Sequence, residues 1–200
     1  MSTEMVEMNT AKTNSESNYQ VTVEIPKGVE IQVDGKAVTV KGPKGTLSRD
    51  FSNPTYNNLV KIEKNCGIVV SASSEKRKMK AVAGTIRAHI RNMMLGVTDG
   101  YRYTMKILYS HFPMTVDIKG DEIHVKNFLG EKGARVAKIK GKTEVKVDKD
   151  EITLSGIDLE NIGQTVQRIE QACRLTGKDR RIFQDGIFLT GRYTQTGKPL

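Results

Sequence analysis

The 200-residue sequence has no tryptophan, two cysteines and three histidines. Cys66 and Cys173 are too few for a disulfide framework or a four-ligand zinc site. His89, His111 and His124 show no HxH, HExxH or CxxC spacing, and no GxSxG nucleophile motif or complete phosphate-binding P-loop is present. We therefore expect no enzymatic activity, no catalytic residue, no metal site, no cofactor and no small-molecule substrate.

Long apolar runs are also missing. No segment approaches the roughly 18 apolar residues that a membrane-spanning helix requires. The N-terminus has neither the basic segment nor the apolar segment of a secretory signal. We expect a soluble, reduced, intracellular protein without membrane contact.

The charge is strongly positive: 32 Lys and Arg against 23 Asp and Glu give a formal net charge of +9. The excess lies after residue 19, because residues 1–19 carry Glu4, Glu7 and Glu16 against Lys12 alone. A basic body of this kind favours polyanions, above all phosphate backbones. On charge alone, an anionic membrane or plain solubility remain alternatives.

Apolar periodicity predicts ordered structure from residue 19 onward. Residues 1–18 are polar and without period, which is typical of a disordered extension. Alternating apolar residues from Tyr19 to Ile25 predict a strand, and Asp34-Gly35 between two further alternating runs predicts a hairpin. Apolar residues then recur at steps of three and four over residues 74–95, so we expect one amphipathic helix with a cap at Ser73 or Ser74.

The same order returns after Gly100. Gly35–Lys41 aligns with Gly120–Lys126, and a helix over Leu159–Leu175 follows the second set of strands. Two similar units at about 80-residue spacing indicate an internal duplication. The fold class is predicted as α+β, with two tandem domains that each have a small, mainly antiparallel sheet covered on one face by an amphipathic helix.

This pattern divides the chain into four parts. We expect the polar extension at 1–18, a first domain at 19–98, a second domain at 99–185, and a C-terminal tail at 186–200.

Basic residues concentrate in the second unit and after it. Arginine interleaved with aromatic residues suits folded RNA, where rings and guanidinium planes stack on unpaired bases. Phe183 could serve that role or the core, whereas Phe188 is expected in the core. We predict as RNA contacts the ten cations Lys126, Lys132, Arg135, Lys138, Lys140, Arg174, Lys178, Arg180, Arg181 and Arg192.

Five stretches together resemble one family. They are VEIPKGV at 23–29, VTVKGPKGTL at 38–47, GVTDGY at 96–101, YSHFP at 109–113 and NFLGEK at 127–132. The sequence is similar to the universal large-subunit ribosomal protein six, known as L-six in bacteria and L-nine in eukaryotes. YSHFP and NFLGEK resemble the archaeal and eukaryotic branch.

The resemblance covers roughly residues 19–190 and implies function. It implies a structural constituent of the large ribosomal subunit that binds ribosomal RNA near the stalk base and the factor-binding side, with 99–185 as the main RNA-binding domain. It further implies neighbouring ribosomal proteins as partners, a place in the cytosolic ribosome and no enzymatic activity. The family's glycine loop falls on Asn127–Gly133 and its C-terminal signature on Lys178–Phe188.

Two other functions remain open at this point. Both Gly42–Gly45 and Gly130–Gly133 match the GxxG clamp of KH domains, which would suit a free regulator of messenger RNA. The turns follow strands, however, whereas the KH clamp joins two helices. Without the KH fold, a glycine turn with a lysine, such as Lys44, can still place one charge close to a phosphate. A hydrolase or nucleotide-using enzyme is the second alternative, and the missing P-loop and nucleophile argue against it.

Overall fold

The structure is a computed structural model that describes residues 19–52, 60–64, 67–74, 76–179 and 181–199. The predictions for the 1–18 extension, Cys66 and Arg180 lie outside these residues. Two long helices lie against four small antiparallel sheets, which confirms the α+β class.

The first unit contains six strands and one helix. In chain order these are β1 (Tyr19–Val23), β2 (Glu30–Asp34), β3 (Ala37–Gly42), β4 (Gly45–Asp50), β5 (Val60–Lys64), β6 (Ile68–Ala72) and α1 (Arg77–Thr98). The strands form two three-stranded sheets with the orders β1-β6-β5 and β2-β3-β4.

The second unit repeats this order and adds one strand. Its elements are β7 (Tyr101–Leu108), β8 (Thr115–Lys119), β9 (Glu122–Lys126), a 3-10 turn (Phe128–Gly130), β10 (Arg135–Lys138), β11 (Glu144–Asp148), β12 (Glu151–Gly156), α2 (Leu159–Ala172) and β13 (Gly186–Thr194). The sheet orders are β10-β9-β8 and β11-β12-β7-β13.

The strand pairing confirms the duplication. The order β1-β6-β5 in the first unit corresponds to β7-β12-β11 in the second, and β2-β3-β4 corresponds to β8-β9-β10. Gly35 and Gly120 begin equivalent two-residue hairpin loops with φ angles of 63° and 58°, a conformation that glycine adopts without steric cost. Each unit thus has two sheets, where the sequence predicted one.

Both helices occur where expected, with shifted ends. α1 begins at Arg77 after Lys76, which has no side-chain cap. Ser74 is not the cap residue, although its hydroxyl accepts a hydrogen bond from the Lys76 amide at 3.3 Å. α2 is capped by Asp158, which accepts from the Glu160 amide at 2.9 Å, and it ends before the predicted Leu175.

The C-terminal residues correct the predicted tail. Residues 186–194 form β13, which pairs with β7 along its whole length in the second unit's larger sheet. Ile187 lies in the core, so this strand is part of the packed unit. Phe188 was expected in the core, but its alternate position on the strand leaves it 46% exposed.

The two units touch at a close joint. Gly96 of α1 lies against the backbone carbonyl of Ile157, where an added Cβ would stand only 2.1 Å from that oxygen. The Lys44 side chain of the first unit donates to the Gln195 side chain of the second, and the Gln195 amide donates to the Gly100 carbonyl at 3.1 Å. The C-terminal turn is thereby fixed to the end of α1.

Candidate nucleic-acid interface

Three segments that are far apart in sequence meet at one end of the second unit. The Asn127 side-chain amide donates to the Pro113 carbonyl at 2.9 Å, and the Phe112 ring packs against Gly130. Asp185 accepts hydrogen bonds from the 110–111 segment. The YSHFP run, the NFLGEK run and the 178–188 segment therefore form one continuous surface.

Asp185 holds this surface together. Its carboxylate is 1% exposed and accepts from the Ser110 amide at 2.6 Å, the His111 amide at 3.2 Å and His111 Nδ1 at 2.8 Å. Burial raises the pKa of Asp185, but these hydrogen bonds lower it more, and the net pKa lies below the ordinary value.

An aromatic stack continues outward from this carboxylate. The ring of Phe183 stacks on His111 with 4.8 Å between centroids, and the Lys178 ammonium lies 4.6 Å from the centre of the Phe183 ring. The Phe183 ring is half-buried, and His111 and Lys178 already lie against it. It orders the loop and leaves little of its face for a nucleotide base.

The glycine loop has a constrained backbone. Asn127, Leu129 and Gly130 adopt positive φ angles of 57°, 52° and 78°. Leucine rarely adopts this conformation, and the fully buried Phe128 beside it supplies the packing that holds the loop. The loop thus presents a fixed backbone at the surface.

Arg135 is bound within the chain. Its guanidinium forms a bidentate pair with Glu131 at 2.8 and 2.6 Å and donates to the carbonyls of Ala172 at 2.9 Å and Arg174 at 3.1 Å. It also lies 4.2 Å from the centre of the Phe128 ring. Arg135 therefore joins the glycine loop to the end of α2, and few of its donors remain for a phosphate.

Four of the predicted contacts are exposed cations on the two segments that this pair joins, the glycine loop and the chain after α2. We call Lys132, Arg174, Lys178 and Arg181 the α2-end surface. Within the described residues, none of these four side chains is ion-paired. Arg174 lies next to Arg135, which donates to its carbonyl, and Lys178 lies over Phe183.

The three other lysines that were predicted as RNA contacts have partners. Lys126 pairs with Asp117 at 2.7 Å, and Lys138 stands 3.9 Å from a Glu122 carboxylate oxygen. Lys140 donates to the neutral side chain of Gln164 and keeps its charge uncompensated. These lysines lie along β10 and the end of β9, beside α2.

Arg192 lies apart from the α2-end surface. Its guanidinium stands 5.9 Å from the centre of the Tyr103 ring, and it lines a groove that α1 also borders. The ten predicted contacts thus do not form one patch, and Arg180 lies outside the described residues.

Sequence reasoning missed some cations and misread one. Arg168 donates to the Lys138 carbonyl at 3.2 Å, so it stands beside the predicted lysines. Arg87 and Arg91 lie on the exposed face of α1, and their spacing of four residues was the available signal. Lys44, in the first GxxG turn, instead donates to the Asp99 carbonyl and the Gln195 side chain.

The buried cysteine and the two remaining histidines interact with other parts of the chain. Cys173 is buried, and burial raises its thiol pKa to about 11. His89 and His124 lie 3.1 and 3.5 Å from the carboxylates of Glu160 and Glu122. Among the described residues, no three potential ligands group around a metal position, and neither helix is long and apolar enough to span a bilayer.

Comparison with known proteins places these features in a family. The family model described as Ribosomal protein L6 matches twice, over residues 25–100 and 112–186. The chain is 46% identical over 170 residues to "Large ribosomal subunit protein uL6" of Methanobrevibacter smithii, covering 85% of this chain and 94% of that protein. The protein of that name from Desulfurococcus amylolyticus is 48% identical over 169 residues, with coverages of 84% and 91%.

Proposed function

Because the chain belongs to the ribosomal protein L6 family, in the branch of the archaeal relatives, we infer that it is a structural constituent of the large ribosomal subunit. As such it supports translation in the cytoplasm and is not an enzyme. We propose that it binds large-subunit ribosomal RNA near the stalk base and the factor-binding side, next to other ribosomal proteins.

We propose the α2-end surface, with Lys138, Lys140 and Arg168 beside it, as the main phosphate-binding region of the second domain. The observation that carries the proposal is a set of four exposed cations that have no ion pair among the described residues. They lie on the glycine loop and on the segment after α2, which the Glu131–Arg135 pair joins. Unpaired cations gain most from a polyanion, since each cation that neutralises a phosphate releases a counterion condensed on the RNA.

The geometry favours contact with a folded RNA over a sequence-reading clamp. Gly130–Gly133 begins at the last residue of the 3-10 turn after β9, and within the described residues no pair of helices flanks it as in a KH domain. Fixed cations and a fixed loop backbone suit the sugar–phosphate chain, whose contacts set position and register.

The test is a salt titration of binding to protein-free large-subunit RNA. The variant Arg174→Gln with Arg181→Gln should bind roughly tenfold more weakly at moderate salt, and its slope of log K against log salt should be shallower by about one to two. Circular dichroism should be unchanged, because within the described residues neither side chain forms an ion pair or a hydrogen bond.

The matched control is Lys146→Gln with Lys149→Gln, which removes the same charge from exposed positions on and after β11, at the other edge of the larger sheet. An equal loss in both variants would contradict a localised surface. Sedimentation of the tagged chain with large subunits in a sucrose gradient separates a ribosomal constituent from a free messenger-RNA regulator.

A further inference from the structure

A second basic surface lies at the junction of the two units. A groove of about 750 Å³ runs between α1 and the C-terminal strand β13, with Tyr19 and Tyr103 at its sides. Arg87 and Arg91 stand on its α1 wall, and Arg192 and Lys198 stand on its β13 wall. We name these four residues and the space between them the α1–β13 groove.

All four cations are exposed, and among the described residues none of them is ion-paired. Asp99 is the one carboxylate among the described residues that line the groove. Glu24 borders a neighbouring hollow that Arg87 and Arg91 also line, without an ion pair to either. Like charges focused in a concavity repel one another, and a bound polyanion relieves that repulsion.

The walls are held in place before anything binds. The Thr194 amide donates to the Lys198 carbonyl at 2.8 Å, and the Lys198 amide donates to the Thr194 hydroxyl at 3.2 Å. This turn is bound to the end of α1 by two sets of hydrogen bonds. The Gln195 amide donates to the Gly100 carbonyl, and the Lys44 ammonium donates to the Asp99 carbonyl and the Gln195 side chain. Because both walls are fixed, little ordering entropy is lost on binding.

The chemistry of the groove favours a nucleic-acid backbone. Three of the four cations are arginines, whose planar forks pair with phosphate oxygens in a bidentate manner. The Tyr103 ring is buried beneath Arg192, and the Lys80 ammonium lies 5.1 Å from the centre of the Tyr19 ring. Neither ring therefore has an open face on which a base could stack. An anionic membrane is disfavoured, because stable attachment also needs exposed apolar groups beside the charge, and the large apolar side chains that line the groove are buried or half-buried.

We propose that the α1–β13 groove binds the sugar–phosphate backbone of an RNA segment, independently of base sequence and in addition to the α2-end surface. The proposal rests on the proposed function for the source of that RNA. It gives the first unit a direct part in RNA binding, through Arg87 and Arg91.

The test uses the full chain and two probes, a short mixed-sequence RNA duplex and protein-free large-subunit RNA. Arg87→Gln with Arg91→Gln removes two charges from the α1 wall, and glutamine has nearly the same helix propensity as arginine. Affinity for both probes should fall roughly tenfold, and the salt slope should be shallower by about one to two. Arg192→Gln should weaken binding from the opposite wall.

Lys146→Gln with Lys149→Gln is again the control for net charge. If the arginine pair binds as the wild type does while Arg174→Gln with Arg181→Gln binds weakly, the groove is excluded and the proposed function stands. If Arg87→Gln with Arg91→Gln is the only double variant that weakens binding, the groove is supported and the α2-end surface is excluded. If the control weakens binding equally, a non-specific charge effect overturns the groove proposal.

Discussion

At the scale of single residues, the surface of the second unit depends on two charged groups that contact the chain itself. Asp185 draws the His111 segment onto the loop before β13, and Arg135 ties the glycine loop to the end of α2. Glu131 shares the second joint, and the hydrogen bond from Arg135 lowers its pKa below the ordinary range. These groups shape the surface, and the free cations around them are available for binding.

From the lowered pKa of the Asp185 carboxylate we expect the protein to lose stability in acid. Its pKa is lowered in the folded state from 3.8, so its contribution is complete well above that value and is lost as the pH falls through the folded pKa. Asp185→Asn should lower the free energy of unfolding by about 2 kcal/mol near neutral pH, since a charged acceptor of three hydrogen bonds is removed.

Denaturant titrations from about pH 5 to about pH 2 check this expectation. The difference in unfolding free energy between the wild type and Asp185→Asn should shrink over that range. The exposed Asp148→Asn serves as the control and should stay close to the wild type throughout. A difference that stays constant with pH would contradict the assigned role of the Asp185 charge.

At the scale of elements, β13 is the one strand of the second unit that has no counterpart among the described strands of the first. It extends the sheet beyond β7, and its Leu189 amide donates to the Glu170 carboxylate of α2 at 3.0 Å. A register shift between Leu189 and Gly191 lets Arg192 face Tyr103 while Ile187 still packs in the core. One strand therefore serves both the core and the α1–β13 groove.

Because β13 is part of the packed unit, we expect two C-terminal truncations to differ sharply in stability. A chain that ends at Asp185 leaves β7 as an uncovered edge and removes the buried Ile187, so the second unit should lose cooperative unfolding. A chain that ends at Thr194 keeps β13 and loses the turn bonds of Gln195 and Lys198, so it should lose only about 1–2 kcal/mol.

Urea denaturation followed by near-ultraviolet circular dichroism distinguishes the two chains. If the chain ending at Asp185 unfolds as cooperatively as the full chain, residues 186–194 act as a dispensable tail after all.

At the scale of the whole molecule, the two units share a joint that also builds the groove. Arg49 of β4 pairs with Glu160 of α2, the Tyr101 hydroxyl donates to the Asn92 carbonyl at 2.8 Å, and Gly96 lies against Ile157. Because the α1 wall and the β13 wall come from different units, the separation of the four cations depends on this joint.

Gly96→Ala is expected to disturb the joint. The new Cβ would overlap the Ile157 carbonyl oxygen, a backbone atom that cannot move aside easily, so the chain should lose about 2 kcal/mol of stability. Gly84→Ala, in the same helix, meets no atom within 4 Å and should gain about 0.5–1 kcal/mol from its helix propensity.

Thermal unfolding of both alanine variants measures this contrast, and RNA affinity provides a second readout. We expect weaker RNA binding for Gly96→Ala, since the groove walls shift. Equal stability of the two variants would contradict a close joint at Gly96.

The sequence by itself determined the elements and their duplication. Alternation at period two, glycine turns and helical spacing are local signals, so both helices, the Gly35 and Gly120 hairpins and the α+β class could be predicted within a few residues. The basic character was also visible in the composition. The end of α2 and the pairing of residues 186–194 could not be predicted from these local signals. The pairing depends on which distant strand offers a free edge.

Only the tertiary structure decided which cations are free. Lys44 and Arg135 look like phosphate ligands in sequence, yet their donors contact Asp99, Gln195, Glu131 and backbone carbonyls that lie far along the chain or across a turn. Arg87 and Arg91 look like an ordinary solvent face until β13 is placed opposite them. Charge is a property of each residue, but its compensation is set by neighbours that folding brings together.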